Sequence, residues 1–363
     1  MSCPYIGLEK DQLPTPSLLL DLDAVQANIK KMADFFLGRP CKLRPHAKTH
    51  KLPQIARWQI EAGAVGITCA KAQDAVAFAK AGIDRILIAN QVVDEEKIRE
   101  LVGLWDLAEI TFCVDNLENA GLISAIAGRR GIEAGVLVEI DIGLNRCGLA
   151  PGKPALEFVR KLKGFKSIRF NGLMGYEGAL FNLGEEEKKK TAKQRLDKLI
   201  ETKEILEHAS IEVREVSSGG SNTYRITGCY PGVTDIQPGS YVTMDTWNQK
   251  HGQDFQLAAT VLTTVISRPA ENRAVIDAGV KAISLDHGMP RITSHSGISI
   301  EALNEEHGKL VLNAPKPDLR VGDRMELVPS HGCTTIPLYA HYFATRKDKV
   351  VAVLGLVSGS AAY

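Results

Sequence analysis

The most reactive side chains of this sequence lie in one short run, Arg44-Pro45-His46-Ala47-Lys48-Thr49-His50-Lys51. Lys48 stands at its centre, with cations and imidazoles on either side. Neighbouring positive charge and partial burial both disfavour an ammonium ion, so a lysine placed there tends to lose its proton. A neutral lysine amine is a nucleophile toward carbonyls and can form a Schiff base. Apolar residues and prolines precede the run and a helical pattern starts at Leu52, so Lys48 falls where a strand hands over to a helix. Taken alone, the run also fits a solvated basic turn.

Three further constellations carry chemistry. In SSGGSNT (217–223) the small residues let backbone N–H groups approach a phosphate, and the hydroxyls of Ser218, Ser221 and Thr223 add donors. Gly219, Gly220 and Asn222 belong to the same loop, and Gly239, Ser240 and Tyr241 in PGSYVTMD would complete a cradle. Arg146 sits in a glycine-rich turn, GLNRCG, where a bulky cation has no packing role. It faces either a cofactor ring or a carboxylate elsewhere on the surface. In VPSHGCTT, His331 and Cys333 flank a glycine, so an extended backbone puts both on one face. Imidazole and thiolate suit zinc or another borderline divalent ion, and a half-buried histidine beside an inert thiol is the alternative. His307 in NEEHG is a further ligand candidate.

The elements that must position these residues follow a rhythm. Lys42–Pro45, Val65–Cys69, Arg85–Ala89, Ile110–Asp115, Val136–Ile140, Phe170–Gly175, Val213–Ser217 and Asp235–Tyr241 read as strands. Helical patterns separate most of them, for example Leu52–Ala62, Gln73–Ala81, Asp94–Leu104, Pro154–Leu162 and Lys188–Glu207. Eight near-continuous apolar strands with helices between them predict an α/β fold, a parallel (β/α)8 barrel. Lys48, Asn90, Arg146, Tyr176, Glu177, the 217–223 loop and 238–245 then all follow strand ends on one rim, where such barrels place catalytic groups. Beyond about residue 250 the pattern changes to alternating β segments with Gly/Pro turns, which predicts an antiparallel β domain. The expected division is a barrel over 16–248 and a β domain over 249–363, with the arm 1–15 joined to the latter.

Composition bounds the function. A chain of 363 residues exceeds one usual hydrophobic core, which agrees with two domains. With 44 basic and 43 acidic residues the net charge is +1, so electrostatics give no reason to propose nucleic acid or an anionic membrane as partner. No apolar run reaches membrane-span length, and the N-terminus lacks the apolar core of a signal peptide. Seven scattered cysteines fit reduced thiols in a cytoplasmic protein. The charge run 184–195 reads as a solvated helix start.

Together, TPSLLLDLD, LRPHAKTHK, CVDN, VEIDIGLNRCGL, SSGGSNT, PGSYVTMD, IDAGVK, NEEHG and PSHGCTT resemble the D-threonine aldolase and D-serine dehydratase family from about Pro14 to Leu338. The resemblance implies an alanine-racemase-like barrel, a C-terminal β domain, pyridoxal 5'-phosphate, and a divalent metal (Zn, Mn or Mg). It makes Lys48 the Schiff-base lysine, and Arg146 and Tyr176 its neighbours at the cofactor. Residues Ser218 to Asn222 and Gly239 to Tyr241 would hold the phosphate, and His331 and Cys333 the metal. It also implies a homodimer acting on a small D-amino acid. Retro-aldol cleavage of a β-hydroxy D-amino acid is the expected reaction, with His331 or Glu177 among the candidate bases. Dehydration of D-serine or 3-hydroxy-D-aspartate is the alternative, and racemisation a further one. The chain departs from the aldolase pattern at Cys333, where aldolases tend to carry aspartate, and at Glu177, where they tend to carry histidine. Asp277 in IDAGVK either reaches a partner's site or begins a turn, the turn being preferred.

Overall fold

The computed structural model describes residues 4–178, 180–252, 254–313 and 318–357. Its first half runs β1 (Ser17–Asp21), α1 (Leu22–Phe36), β2 (Lys42–Leu43), α2 (Pro53–Glu61), β3 (Ile67–Cys69), α3 (Ala72–Lys80), β4 (Arg85–Gln91), α4 (Glu95–Val102), β5 (Glu109–Val114) and α5 (Leu117–Arg129). It continues through β6 (Ala134–Glu139), α6 (Lys153–Leu162), β7 (Ile168–Met174), α7 (Glu185–His208), β8 (Glu215–Ser218), α8 (Tyr224–Thr227) and β9 (Asp235–Ile236).

Strands β2 to β9 form one parallel sheet in the order β2-β9-β8-β7-β6-β5-β4-β3. Its end strands meet through His46 and Thr68, with Val65 N–H donating to Leu43 O at 2.8 Å and Ala47 N–H to Thr68 O at 2.8 Å. Strand β6 is buried along its whole length, as a parallel strand covered on both faces must be. Val136, Leu137 and Val138 are each 0% exposed, and burial of each contributes about 1.5–3 kcal/mol. The helices start on chemical signals: the Asp94 side chain caps α4 through Lys97 N–H, and Asn116 caps α5 through Asn119 N–H. Helix α6 buries Ala155, Phe158, Val159 and Leu162, one face at helical spacing. The charge run is the solvated start of α7, with Glu185 to Glu187 in its first turn, where carboxylates suit the helix dipole.

The second unit adds α9 (Thr246–Lys250), β10 (Ala259–Ala270), β11 (Arg273–Ile276), β12 (Arg291–Ile292), β13 (Ile298–Leu303), β14 (Gly308–Leu312), β15 (Arg324–Val328), α10 (Gly332–Thr335), β16 (His341–Arg346) and β17 (Lys349–Gly355). Here the order is β13-β14-β11-β10-β1-β16-β17, with β15 pairing to β10 and β12. The arm joins this sheet: Gly7 N–H donates to Val350 O and Lys10 N–H to Asp348 O, both at 2.8 Å. Asp277 is a strut in the same unit, accepting from Thr263 Oγ1 at 2.6 Å, Thr264 N–H at 2.9 Å and Thr15 Oγ1.

The contact grouping differs from the expected division chiefly at the N-terminal side, where β1 leaves the barrel. Contacts group residues 1–31, 49–52 and 240–363 as one unit and 32–48 with 53–239 as the other. The reason is β1, which lies between β10 (antiparallel) and β16 (parallel) and so belongs to the second sheet. The last barrel strand is also shorter than expected, ending at Ile236.

Gly172 marks the tightest strand approach: a Cβ there would lie 1.9 Å from Glu215 O, its partner in β8. Gly172→Ala is expected to cost about 2 kcal/mol or more and to lower the melting midpoint by roughly 4 °C or more. Gly184→Ala, where an added methyl meets nothing within 4 Å, should change it little. Parallel thermal melts of the two variants check both.

Candidate active site

From Pro45 to Leu52 the chain is buried except at Lys48, whose side chain is exposed. On its N-terminal side, His46 N–H donates to Pro238 O at 3.0 Å, and the Lys48 N–H to His46 Nδ1 at 3.4 Å. On its C-terminal side, His50 is 0% exposed and its Nδ1 accepts from Leu52 N–H at 3.1 Å. Lys51 has φ 53°, and its carbonyl accepts from Val357 N–H at 3.0 Å. The backbone is thus held on both sides of a single exposed amine. Arg44 does not join this group. Its guanidinium pairs with Glu215 at 2.8 Å and Asp235 at 3.2 Å, the first residues of β8 and β9, at the opposite end of the strands.

Past β6, the Asp141 carboxylate accepts from the N–H groups of Gly143 (2.9 Å), Leu144 (3.0 Å) and Asn145 (3.0 Å). Burial works against that carboxylate, but the three N–H donors hold it below its ordinary pKa. Asp141 N–H in turn donates to Leu149 O at 2.9 Å, which closes the turn that presents Arg146. The Arg146 guanidinium lies 5.8 Å from the Tyr176 ring centroid and 3.8 Å from Glu139 Oε1. Both readings of Arg146 therefore have a partner, an aromatic ring and a carboxylate. Glu139 was missed by the motif reading. It is 4% exposed, shares Gln91 Nε2 with Asp115, and burial pushes its pKa up. The signal was present: one carboxylate ending an otherwise apolar strand.

The glycine loop after β8 packs on Tyr176, with an added Cβ at Gly220 reaching 3.4 Å from that ring. Gly219 has φ +78°, a conformation that favours glycine. Both polar atoms of the Asn222 amide are buried without a hydrogen-bond partner. Buried polar groups are normally paired, so an unpartnered amide on a glycine loop after a barrel strand fits a ligand such as a phosphate. Glu177 is a correction. It is 0% exposed, and its carboxylate accepts from Ser218 Oγ at 3.0 Å, Gly219 N–H at 3.0 Å, Thr223 Oγ1 and Thr227 Oγ1. A fully buried carboxylate with four donors is a support for the loop and is not placed to act as a base. The Ser218 hydroxyl and Gly219 N–H, expected on phosphate, point to Glu177 instead. Gly239 follows β9 in the barrel unit, whereas Ser240 and Tyr241 open a 3-10 turn of the other unit. The Tyr241 ring there lies 5.5 Å from that of Phe255.

In the β unit, ligand atoms of Asp286, His287 and His331 lie within 4.8 Å of one another. His331 Nδ1 is 2.6 Å from Asp286 Oδ2, and the rings of His287 and His331 are 4.6 Å apart. Burial opposes the charged imidazole, but Cys333 and Asp286 outweigh it and push the His331 pKa up to about 9. Cys333 Sγ is also 3.2 Å from Thr49 Oγ1, the residue next to Lys48 in sequence. The buried Asp245 carboxylate accepts from Gly332 N–H at 3.0 Å, which fixes the backbone between His331 and Cys333. The imidazoles of this cluster, with the Cys333 thiol against His331, fit a borderline divalent ion. Asp286 and His287 were not anticipated, although DHG between two β segments carries both donors. His307 lies on the exposed turn between β13 and β14 and is outside the cluster found among the described residues.

Against known proteins, residues 20–246 match the family model described as alanine racemase, N-terminal domain, and 258–345 the putative serine dehydratase domain. The 3-hydroxy-D-aspartate aldolase of Paracoccus denitrificans (strain Pd 1222) is 32% identical over 96% of this chain and 92% of its own. The crystal structure of D-threonine aldolase from Filomicrobium marinum superposes with a TM-score of 0.94, at 33% identity and full coverage of both chains. The D-threo-3-hydroxyaspartate dehydratase of Delftia sp. (strain HT23) is 28% identical over 93% of this chain and 95% of its own.

Removing Glu177 would strand four buried donors, each costing about 1–3 kcal/mol when left unpaired. Glu177→Ala is expected to weaken pyridoxal phosphate retention by roughly tenfold or more, and Glu177→Gln, which keeps an acceptor, by less. Equilibrium dialysis of the cofactor, alongside circular dichroism for fold, measures this.

Proposed function

We propose, on the premise that this chain belongs to the alanine racemase N-terminal-domain family and carries the serine dehydratase domain after it, that it cleaves β-hydroxy D-amino acids to glycine and an aldehyde. The observation that carries this reading is likeness over the whole chain, in sequence and in fold, to aldolases of 3-hydroxy-D-aspartate and D-threonine. When bound, pyridoxal phosphate supplies a sink for the electrons left at Cα, and a divalent ion a Lewis acid for the β-oxygen.

The chain's own residues take defined parts. Lys48, exposed between pinned neighbours, supplies the amine that anchors the cofactor. Gly220, Ser221 and Asn222, with Gly239, Ser240 and Tyr241, hold its phosphate, and Arg146 and Tyr176 flank its ring. His331 and Cys333 hold the ion, which is Zn, Mn or Mg. Cleavage needs an acceptor for the β-hydroxyl proton. Glu177 is occupied and His331 is given to the ion, which leaves the imidazole of His287.

A dehydratase is the second reading, and one observation favours it. Histidine is paired here with Cys333, a combination that resembles the dehydratases more than the aldolases. In that reaction Lys48 would take the α-proton and the substrate would leave as a 2-oxo acid and ammonia. A homodimer in the cytoplasm is part of the same proposal. Its test is light scattering, expected at twice the 39.5 kDa chain mass. In the described residues no helix is long and apolar enough to cross a membrane.

The deciding experiment supplies pyridoxal phosphate with Mn²⁺, Zn²⁺ or Mg²⁺ in turn, and offers D-threonine and D-serine. Glycine with acetaldehyde is expected; a 2-oxo acid with ammonia would transfer the assignment to the dehydratase. Turnover that survives a chelator and yields only the other enantiomer would mean a racemase. Lys48→Ala should abolish both turnover and the cofactor's visible absorbance band, and full activity in that variant would overturn the reading.

A further inference from the structure

The contact between Asp286 Oδ2 and His331 Nδ1 is too short for these two atoms to bind one ion together. Donor atoms bound at about 2.1 Å keep roughly 3.0–3.4 Å from one another in octahedral or tetrahedral geometry. Nδ1 and Oδ2 are 2.6 Å apart, the length of a charge-assisted hydrogen bond. The carboxylate is itself locked, because its other oxygen accepts from Ser284 Oγ and Thr334 Oγ1, both at 2.8 Å. His287 packs 4.6 Å from the His331 ring and stacks on Trp247 at 4.6 Å and 12°. Two hydroxyls thus set the carboxylate, the carboxylate sets the imidazole, and a stacked ring limits its tilt.

We infer that Asp286 is a positioning residue for the metal: it takes the Nδ1 proton of His331 in a hydrogen bond and so presents Nε2, lone pair outward, as the ligand atom. Neutral imidazole has one N–H and one free lone pair, so fixing the N–H at Nδ1 settles which nitrogen binds. The negative charge behind the ring also raises its basicity as a ligand. The inference rests on the metal reading of His331 and Cys333 and adds a residue to it, on the segment between β11 and β12. It makes no choice between aldol cleavage and dehydration, since both need the ion at the β-oxygen.

The test is metal binding by the pyridoxal-phosphate-loaded protein without substrate, so that turnover plays no part. Zn²⁺ is titrated against a chromophoric chelator into the wild type, Asp286→Asn, Asp286→Ala and Thr334→Val, and Co²⁺ spectra report the coordination sphere. Asp286→Asn is expected to bind Zn²⁺ roughly 10- to 100-fold more weakly. Asp286→Ala should be weaker still, and Thr334→Val, which removes one of the two hydroxyls that set the carboxylate, should fall between wild type and Asp286→Asn. The Co²⁺ spectrum of Asp286→Asn should keep the intensity of the wild type, because no ligand has been lost. Thermal melts within a few degrees of one another exclude loss of fold as the cause. Zn²⁺ affinity in Asp286→Asn within about twofold of wild type overturns the inference, as does a Co²⁺ spectrum showing one ligand fewer. If the wild type itself takes up no ion, the metal reading falls and the Asp286 role with it; that outcome is distinct from a tight wild type with an equally tight variant.

Discussion

The chemistry depends on how the backbone around Lys48 is held. A lysine side chain carries four carbons of free rotation, so its amine is only as well placed as the peptide that bears it. Here that peptide has a donor to Pro238 O two residues before it and acceptors at His50 and Lys51 just after it. The flanking residues are buried and Lys51 takes a left-handed backbone conformation, so the segment has little freedom. Ordering such a segment costs about 1–2 kcal/mol of entropy per residue, and that cost is met in folding instead of in each catalytic cycle.

The same device recurs wherever a reactive group needs placing. Asp141 gathers three N–H groups to shape the Arg146 turn, and Glu177 gathers four donors beneath the glycine loop. Asp245 holds Gly332, and Asp286 holds His331. Each carboxylate is fully hydrogen-bonded, which offsets the cost of excluding it from water. Each sits beside a residue that is proposed to meet ligand. These four carboxylates are thus spent on organising the backbone and side chains beside them.

Much of this was legible in the chain. The eight barrel strands appear as separate apolar runs because both faces of each are covered, and the rim follows from their C-terminal ends. Direction at strand ends was not legible. Glu177 lies three residues past Met174, where period-2 alternation no longer applies, so nothing local says that it turns under the next loop. Arg44 was misplaced for a related reason: up to about 13 Å of extended chain separates it from Lys48, beyond a Debye length. Proximity in sequence was mistaken for proximity of charge. The sheet that β1 joins was not legible because it has the same apolar pattern in either, and only its partners, β10 and β16, decide. Asp286 and His287 come from a different segment than His331, and a two-residue ligand motif carries no information about such a partner.

Reaction choice follows from where these carboxylates are used. Aldol cleavage and dehydration share an anchoring lysine, a phosphate cradle and a Lewis acid at the β-oxygen, and differ in which proton is removed. A dehydratase can use the lysine amine, already beside Cα. An aldolase needs a second acceptor near the β-hydroxyl, and where the aldolase pattern has a histidine after Tyr176 this chain has Glu177, a carboxylate that bonds its own next loop. In the β unit, His287 and His331 stand together, and Asp286 is hydrogen-bonded to His331. His287 stacks on Trp247 and is exposed, so its ring is open to a proton donor. The proposed aldol reading therefore rests its proton acceptor on an imidazole and not on the carboxylate after β7.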